Sequence, residues 1–395
     1  MSRPAHELAD IFRQHGSHYR EKHRLPRQQL RAMRAIETCR TSALGGHVEK
    51  CDQCHYTRVS YNSCRNRHCP KCLNTERAKW LRSRQEELLP VEYFHVVFTL
   101  PGQFARIAFY NKELLYGLLF HAAAETLLTI ARDPRHLGAK IGFFGILHTW
   151  GQNLLHHPHV HFVIPGGGIG PDGKWAHCRP GFFLPVRVLS RLFRRLFLQA
   201  LKEAFQRNQI QFVGEIESLK QQTAFLDYLK PLEQCEWVVY AKPPFGGPGK
   251  VLDYLGRYTH RVALSNDRIR DVSNGQVSFQ WRDYRDRDKY RSRVMTVPAE
   301  EFIRRFLIHT LPAGFRRIRF FGFMASRCRK QQLALCRQLL CIAVTELLPT
   351  PAQCGAAVAL LDSRPSRTCP HCHTGVLVRL GLAAYRWPEH PPDSS

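Results

Sequence analysis

Three groups of residues in this chain of 395 have types and spacings that could do chemistry. The first is a set of cysteines. Cys51-x2-Cys54 and Cys69-x2-Cys72 stand fourteen residues apart, a spacing that can fold two thiolate pairs around one tetrahedral Zn2+. Cys39, His47, Cys64 and His68 lie in the same stretch and could hold a second zinc, interleaved in sequence with the first set. A lone His or Cys beside a zinc site is as often a DNA contact or a core residue. Cys369-Pro-His-Cys372 forms a further knuckle with His373 beside it, and Cys328, Cys336 and Cys354 are the candidates to complete it. Arg65, Arg67 and Lys71 surround the 69–72 knuckle and suit a phosphate backbone.

The second group is His159-Val160-His161. Alternation in a strand puts both imidazoles on one face and Val160 on the other, and two neutral imidazoles on one face can hold a divalent metal. His-x-His is common in ordinary strands, but here four histidines crowd the run 156–168, which ends in Pro165 and three glycines. The third group is Tyr254 and Tyr258. Four residues apart on a short helix, they share one face about a turn from each other; an isolated pair of this kind usually packs against a sheet.

The elements that must position these groups are legible from periodicity and breakers. Residues 1–38 read as a basic helical lead-in divided by Pro26. Residues 39–90 are poor in large aliphatic side chains until a charged connecting helix over 76–89, and such a stretch needs a metal to make a core. Residues 91–325 read as an α+β body. Its strands fall near 93–100, 141–148, 159–164, 237–242, 261–272 and 276–284, and its helices near 104–130, 186–207, 218–229 and 298–311. Residues 326–395 read as a helical C-terminal region, loop-rich from Pro349, with the possible second knuckle.

Lys and Arg total 58 against 32 Asp and Glu, a formal charge of +26 spread along the chain. Aromatic residues interleave with that charge at 281–285 and 316–321, which suits phosphate contacts and base stacking better than a lipid surface. Fourteen cysteines, with C-x2-C pairs at 51/54, 69/72 and 369/372, point to metal ligation in a reducing compartment rather than to disulfides. No run of apolar residues is long enough to suggest a membrane span, and the N-terminus lacks a signal-like apolar segment, so a cytoplasmic protein is expected.

Taken together, the cysteine-rich segment, Leu147-His-Thr-Trp-Gly-Gln152, the histidine run and Tyr254-Leu-Gly-Arg-Tyr258-Thr-His-Arg-Val-Ala-Leu-Ser-Asn266 resemble the two-tyrosine rolling-circle transposases of bacterial insertion sequences. These belong to the wider class of His-hydrophobic-His nucleases. The resemblance spans roughly residues 31–338. It implies an antiparallel-sheet nuclease domain preceded by a small zinc-binding domain, with a helical C-terminal region. It further implies His159 and His161 as metal ligands, a third from a neighbouring strand (His148 favoured, Gln152 or His157 as substitutes), and Mg2+ or Mn2+ as the working ion. Tyr254 and Tyr258 would be nucleophiles, with Arg257 and Arg261 as DNA contacts and His260 and Lys250 as nearby bases. The expected partner is DNA, mainly single-stranded element ends and target. A plasmid replication initiator or relaxase would share the chemistry, and a catalytically inactive zinc-containing DNA-binding protein would share the charge and cysteines.

Overall fold

Strand β5, His156–Pro165, is the longest described strand of the chain. The computed structural model describes residues 4–242, 250–251, 263–282, 292–340 and 368–383. Its architecture is α+β, and every described strand pairing is antiparallel. Two compact units form. One draws on residues 1–79, 260–310 and 359–395, the other on 80–259 and 311–358.

In the second unit β5 sits at the centre of a five-stranded sheet. Its neighbours are β3, Tyr93–Thr99, and β4, Gly142–Trp150, with β8, Val239–Lys242, and β12, Ile318–Gly322, at the edges, in the order β12-β4-β5-β3-β8. A small ribbon of β6, Gly167–Ile169, and β7, Trp175–His177, follows the glycine run. Alternate side chains of the sheet (Phe94, Val96, Phe98, Phe143, Leu147, Val160, Phe162 and Ile164) are buried in one core with helices α4, Ala105–Tyr110, α5, Lys112–Arg132, α6, Val186–Gln206, and α7, Gln222–Gln234. Because the pleat has period two, the residues between them, among them His95, His159 and His161, must face the other way.

The single helix expected over 104–130 is two helices. Asn111 interrupts it with φ −122° and ψ 45°, and its side chain explains why. The Asn111 amide donates to the carbonyls of Ile107 at 3.0 Å and Gln211 at 2.9 Å, and its oxygen accepts the Gln211 N–H at 2.7 Å. Side-chain bonds of this kind compete with the helical ladder. α5 has the length and apolarity of a membrane span, and those apolar residues, Leu115, Leu119, Phe120 and Leu127 among them, are fully buried in the core.

The first unit carries the cysteines. α1, Leu8–Lys22, and α2, Arg27–Thr38, are split at Pro26 as the sequence suggests. They do not form a separate lead-in: α1 packs on α8, Ala299–Leu307, through the edge-to-face pair Phe12–Phe306, and the buried Gln29 amide donates to the Leu307 carbonyl at 3.0 Å. A sheet of β9, Ile269–Ser273, β10, Gln276–Arg282, and β11, Ser292–Pro298, joins the same unit, with Phe279 against Phe302. The units therefore cut across the contiguous boundaries suggested by sequence, because segments far apart in the chain supply each other's apolar faces. β1, Gly46–Cys51, and β2, Thr57–Tyr61, form a hairpin, and β13, Leu377–Ala383, pairs with the free side of β1. Part of the C-terminal region expected to be helical is thus a strand; α9, Arg329–Leu339, is its described helix. α3, Pro70–Gln85, starts in the first unit and ends in the second.

Gly322 closes β12 opposite Gly142 with φ +58°, and a Cβ there would land on the carbonyl oxygen of Ile141. Left-handed backbone costs a non-glycine residue about 1–2 kcal/mol before any collision. Gly322→Ala is expected to lower the thermal midpoint of the sheet-containing unit, followed by near-UV circular dichroism. An unchanged midpoint would mean that β12 does not hold this register.

Candidate metal centres

Two sets of four cysteines converge in the first unit, but not in the sets that sequence spacing suggests. Cys39, Cys64, Cys69 and Cys72 form one tetrad, and Cys51, Cys54, Cys369 and Cys372 the other, each with its sulfurs within 4.8 Å of one another. Sulfurs bound tetrahedrally to zinc at about 2.3 Å lie about 3.8 Å apart. The observed separations are 3.5 Å for Cys39–Cys72, Cys64–Cys72 and Cys54–Cys369, and 3.7 Å for Cys51–Cys372. These are far too long for disulfides and close to the edges of a zinc tetrahedron.

The hairpin explains the regrouping. Cys51 and Cys54 lie at the turn joining β1 to β2, whereas Cys39 and Cys64 lie beyond its open end, where Gly46 faces Tyr61. Four strand steps of about 3.3 Å separate the ends, more than one ion can bridge. β13 runs antiparallel to β1 with Leu377 opposite Cys51, which delivers the Cys369–Cys372 knuckle to the same end as Cys51–Cys54. None of Cys328, Cys336 and Cys354 is needed to complete the 369–372 knuckle; Cys328 lies against the Phe323 and Ala325 carbonyls, Cys336 is buried in α9, and Cys354 lies outside the described residues.

The 51–54 and 369–372 knuckles are built to stabilise thiolates. Backbone N–H groups point at sulfur: Gln53 and Cys54 at Cys51, His371 at Cys369, and Gly375 at Cys372, at 3.3–3.5 Å. Gly375 has no room for a side chain, since a Cβ there would meet the sulfur of Cys51 and come within 2.8 Å of Asp52 Oδ1. Asp52 in turn accepts the Val376 N–H at 2.7 Å and locks the two knuckles together. Without an ion, four such sulfurs cannot all ionise: hydrogen bonds from Cys64 and Cys69 pull Cys39 down to about 6, while Cys64 and Cys69 are pushed up, first by Cys39. A dication removes that conflict, so the tetrads fit Zn2+.

The other residues named for this region stand outside the tetrads. His47 is 3.1 Å from Glu49, which also binds Arg58 at 2.7 Å, so His47 belongs to a side-chain hydrogen-bond chain across the hairpin. His68 contributes no atom to either tetrad. Lys71 is paired with Glu7 and mostly covered, tying α3 to the start of α1. Arg65 and Arg67 are exposed on the loop before α3.

On the second unit's sheet, His148, His159 and His161 each present a ring nitrogen, and the three nitrogens lie within 4.8 Å of one another. His148 of β4 stands directly across from His159 of β5, which is why it joins the pair. His157, the substitute, is exposed with its ring 5.3 Å from that of His159 and is not part of the cluster. Neighbouring groups occupy the far nitrogens. His159 Nδ1 is 2.7 Å from the His157 carbonyl, so Nδ1 carries the proton and Nε2 the lone pair. His161 Nδ1 is 2.8 Å from Nε2 of His95 on β3, the rings parallel within 2°, the geometry of an in-plane imidazole–imidazole hydrogen bond.

Burial keeps these rings neutral. It is the largest influence on each, lowering His95 to about 3 and His159 to about 4, and His161 well below its ordinary range. Neutral imidazoles are the metal-binding form, so the cluster fits a divalent ion, with an all-nitrogen donor set that suits Mn2+ better than Mg2+. His95 was not singled out from sequence; the signal was a histidine at an alternating position of the otherwise apolar Tyr93–Thr99. Tyr254, Tyr258, Arg257 and Arg261 lie outside the described residues.

Two expectations follow. Cys372→Ser should cut bound zinc from two ions per chain to one, measured by metal analysis, whereas a Cys51/Cys54/Cys69/Cys72 grouping would leave the full content. His95→Phe should weaken Mn2+ binding about 10–100-fold, the usual effect of removing a ligand's supporting group, with His95→Gln restoring part of it; equal affinity in titration calorimetry would remove His95 from the site.

Comparison with known proteins identifies the family of the chain. Residues 11–100 match the family model described as "Transposase zinc-binding domain", and residues 142–332 match the one described as "Putative transposase". A relative from Sinorhizobium fredii (strain NBRC 101917 / NGR234), named "Putative transposase y4qJ", is 58% identical over 390 residues, 97% of this chain and 96% of its own. The "Transposase for insertion sequence element IS801" of Pseudomonas savastanoi pv. phaseolicola is 29% identical over 353 residues, 85% of this chain and 79% of its own. No solved structure matches the chain. With identity of that order across almost the whole of both chains, and structural zinc supported by its cysteine tetrads, the protein belongs to the rolling-circle transposase family of insertion sequences that includes these relatives.

Proposed function

We propose that the protein moves its element by nicking and rejoining single DNA strands through tyrosine, with the imidazole cluster of His148, His159 and His161 holding one Mg2+ or Mn2+. The observation that carries this reading is the cluster itself: three imidazoles on two paired strands, His148 and His161 buried and His159 half-buried, two of them with their far nitrogens engaged. A buried polar cluster of this kind is costly to a fold that makes no use of it. When bound, the ion polarises the scissile phosphate and offsets charge developing on it.

The phenol of Tyr254 or Tyr258 attacks phosphorus. The P–O bond to the 3′ oxygen breaks, that oxygen takes up a proton, and a 5′-phosphotyrosine remains. The energy kept in the new ester lets the strand be rejoined to another 3′-hydroxyl without ATP. The ordinary tyrosine pKa is about 10, so loss of the phenolic proton needs help from the ion or a neighbouring base. Two nucleophiles allow one to hold the donor strand while the other opens the second strand. The zinc tetrads and the exposed Arg65 and Arg67 would recognise the element ends.

The double variant Tyr254→Phe/Tyr258→Phe keeps both rings and removes only the attacking oxygens. It is expected to bind a single-stranded end oligonucleotide as the parent does and to form no covalent adduct with Mn2+ present, judged by denaturing gel. An adduct from the double variant would place the nucleophile elsewhere.

A further inference from the structure

α6 carries a row of cations that its own helix disfavours. Arg187, Arg191 and Arg195 recur every four residues, all exposed, so they stack along one face. They occupy the first half of the helix, where the macrodipole is already positive, and there is no acidic residue in the first turn and no side-chain cap. Like charges four apart repel as well. The local helix electrostatics therefore argue against three arginines here, and no described hydrogen bond or ion pair engages any of them.

The row borders a groove of about 980 Å³ between α6 and the end of α5, with Arg191 and Arg195 among its walls. Ile130, Val188, Leu192 and Leu198 give it an apolar floor. The acidic residues that reach it are already matched: Asp133 by Arg135 at 2.7 Å, Glu233 by Lys202 at 2.6 Å, and Glu203 by Gln199 at 3.1 Å and Arg207 at 3.8 Å. Arg194 is likewise engaged, by the Cys235 carbonyl. What stays uncompensated is the arginine row. Its repeat along the helix axis is about 6 Å, the length scale of neighbouring phosphates on one strand.

α6 packs in the core layer with Val160 and Phe162, on the face of the sheet opposite to His159 and His161. The groove is thus separate from the metal cluster and cannot be part of its chemistry. We infer that the groove between α5 and α6 is a second nucleic-acid site, which holds the sugar–phosphate backbone of a single DNA strand on Arg187, Arg191 and Arg195. A cleft between two helices, with an apolar floor for sugars, admits a strand and not a duplex. The inference rests on the reading of the chain as a DNA strand transferase and adds a place to park the strand that is not being cut.

The test is Arg187→Gln/Arg191→Gln/Arg195→Gln in the full chain, with the triple Lys variant as control. Melting temperature should hold or rise, since repulsion is removed. On a long single-stranded oligonucleotide the Gln variant should bind about tenfold more weakly or worse, and its salt slope should fall by about two, as expected for three lost phosphate contacts at about 0.7 each. The Lys variant should keep the slope. Cleavage of a short strand of about eight nucleotides, the site size of a single binding surface, should match the parent. Parent-like slope and affinity for the Gln variant would overturn the groove, as would a loss seen only with duplex DNA. Failure of the parent itself to bind single strands would instead overturn the functional reading beneath it.

Discussion

The two-residue pleat of β5 makes one strand serve two environments. Val160, Phe162 and Ile164 must fill the core under α5 and α6, which fixes the register of the strand, and once that register is fixed His159 and His161 have no choice of face. A slip of one residue would bury two imidazoles in the apolar core and expose the core residues. The imidazole cluster is therefore held by the hydrophobic packing on the opposite side of the sheet. Its neighbours follow from the same constraint, since His148 and His95 reach the site only because their own strands pair with β5 in that register.

Burial then does electrostatic work. Removing the rings from water disfavours their charged forms, which leaves them neutral at physiological pH and ready to donate lone pairs. The hydrogen bonds from the far nitrogens set which lone pair that is. In the first unit the problem is solved differently. Four thiols brought within van der Waals range are in conflict until a dication joins them, so the metal takes the place of an aliphatic core. The Cys51/Cys54/Cys369/Cys372 tetrad also sews a segment near the C-terminus onto the N-terminal hairpin, a connection no local propensity could supply.

Much of this was legible in the sequence where the information is local. The strand 93–100, the helix 186–207 and the period-two run around His159 appear within a residue or a few of their expected places, because hydrophobic periodicity and Pro or Gly breakers act over short windows. The cysteine grouping was not legible, since equal C-x2-C spacings carry no record of which knuckle lies at which end of a hairpin. β13 was missed for a related reason: Leu377–Ala383 becomes a strand because it meets the edge of β1, and it lies beyond a loop-rich stretch. Asn111 was read through as helix because its competing partner, Gln211, is one hundred residues away. His95 was visible only as an odd histidine in an apolar strand; its meaning came from the ring it meets.

On the proposed function, β4 and β5 hold one divalent ion among His148, His159 and His161. Anomalous scattering from Mn2+-soaked crystals tests it directly. The expected result is a single manganese peak within bonding distance of His148, His159 and His161, with the cysteine tetrads occupied by zinc. No manganese peak at the three imidazoles, or one seated at other residues, would contradict it.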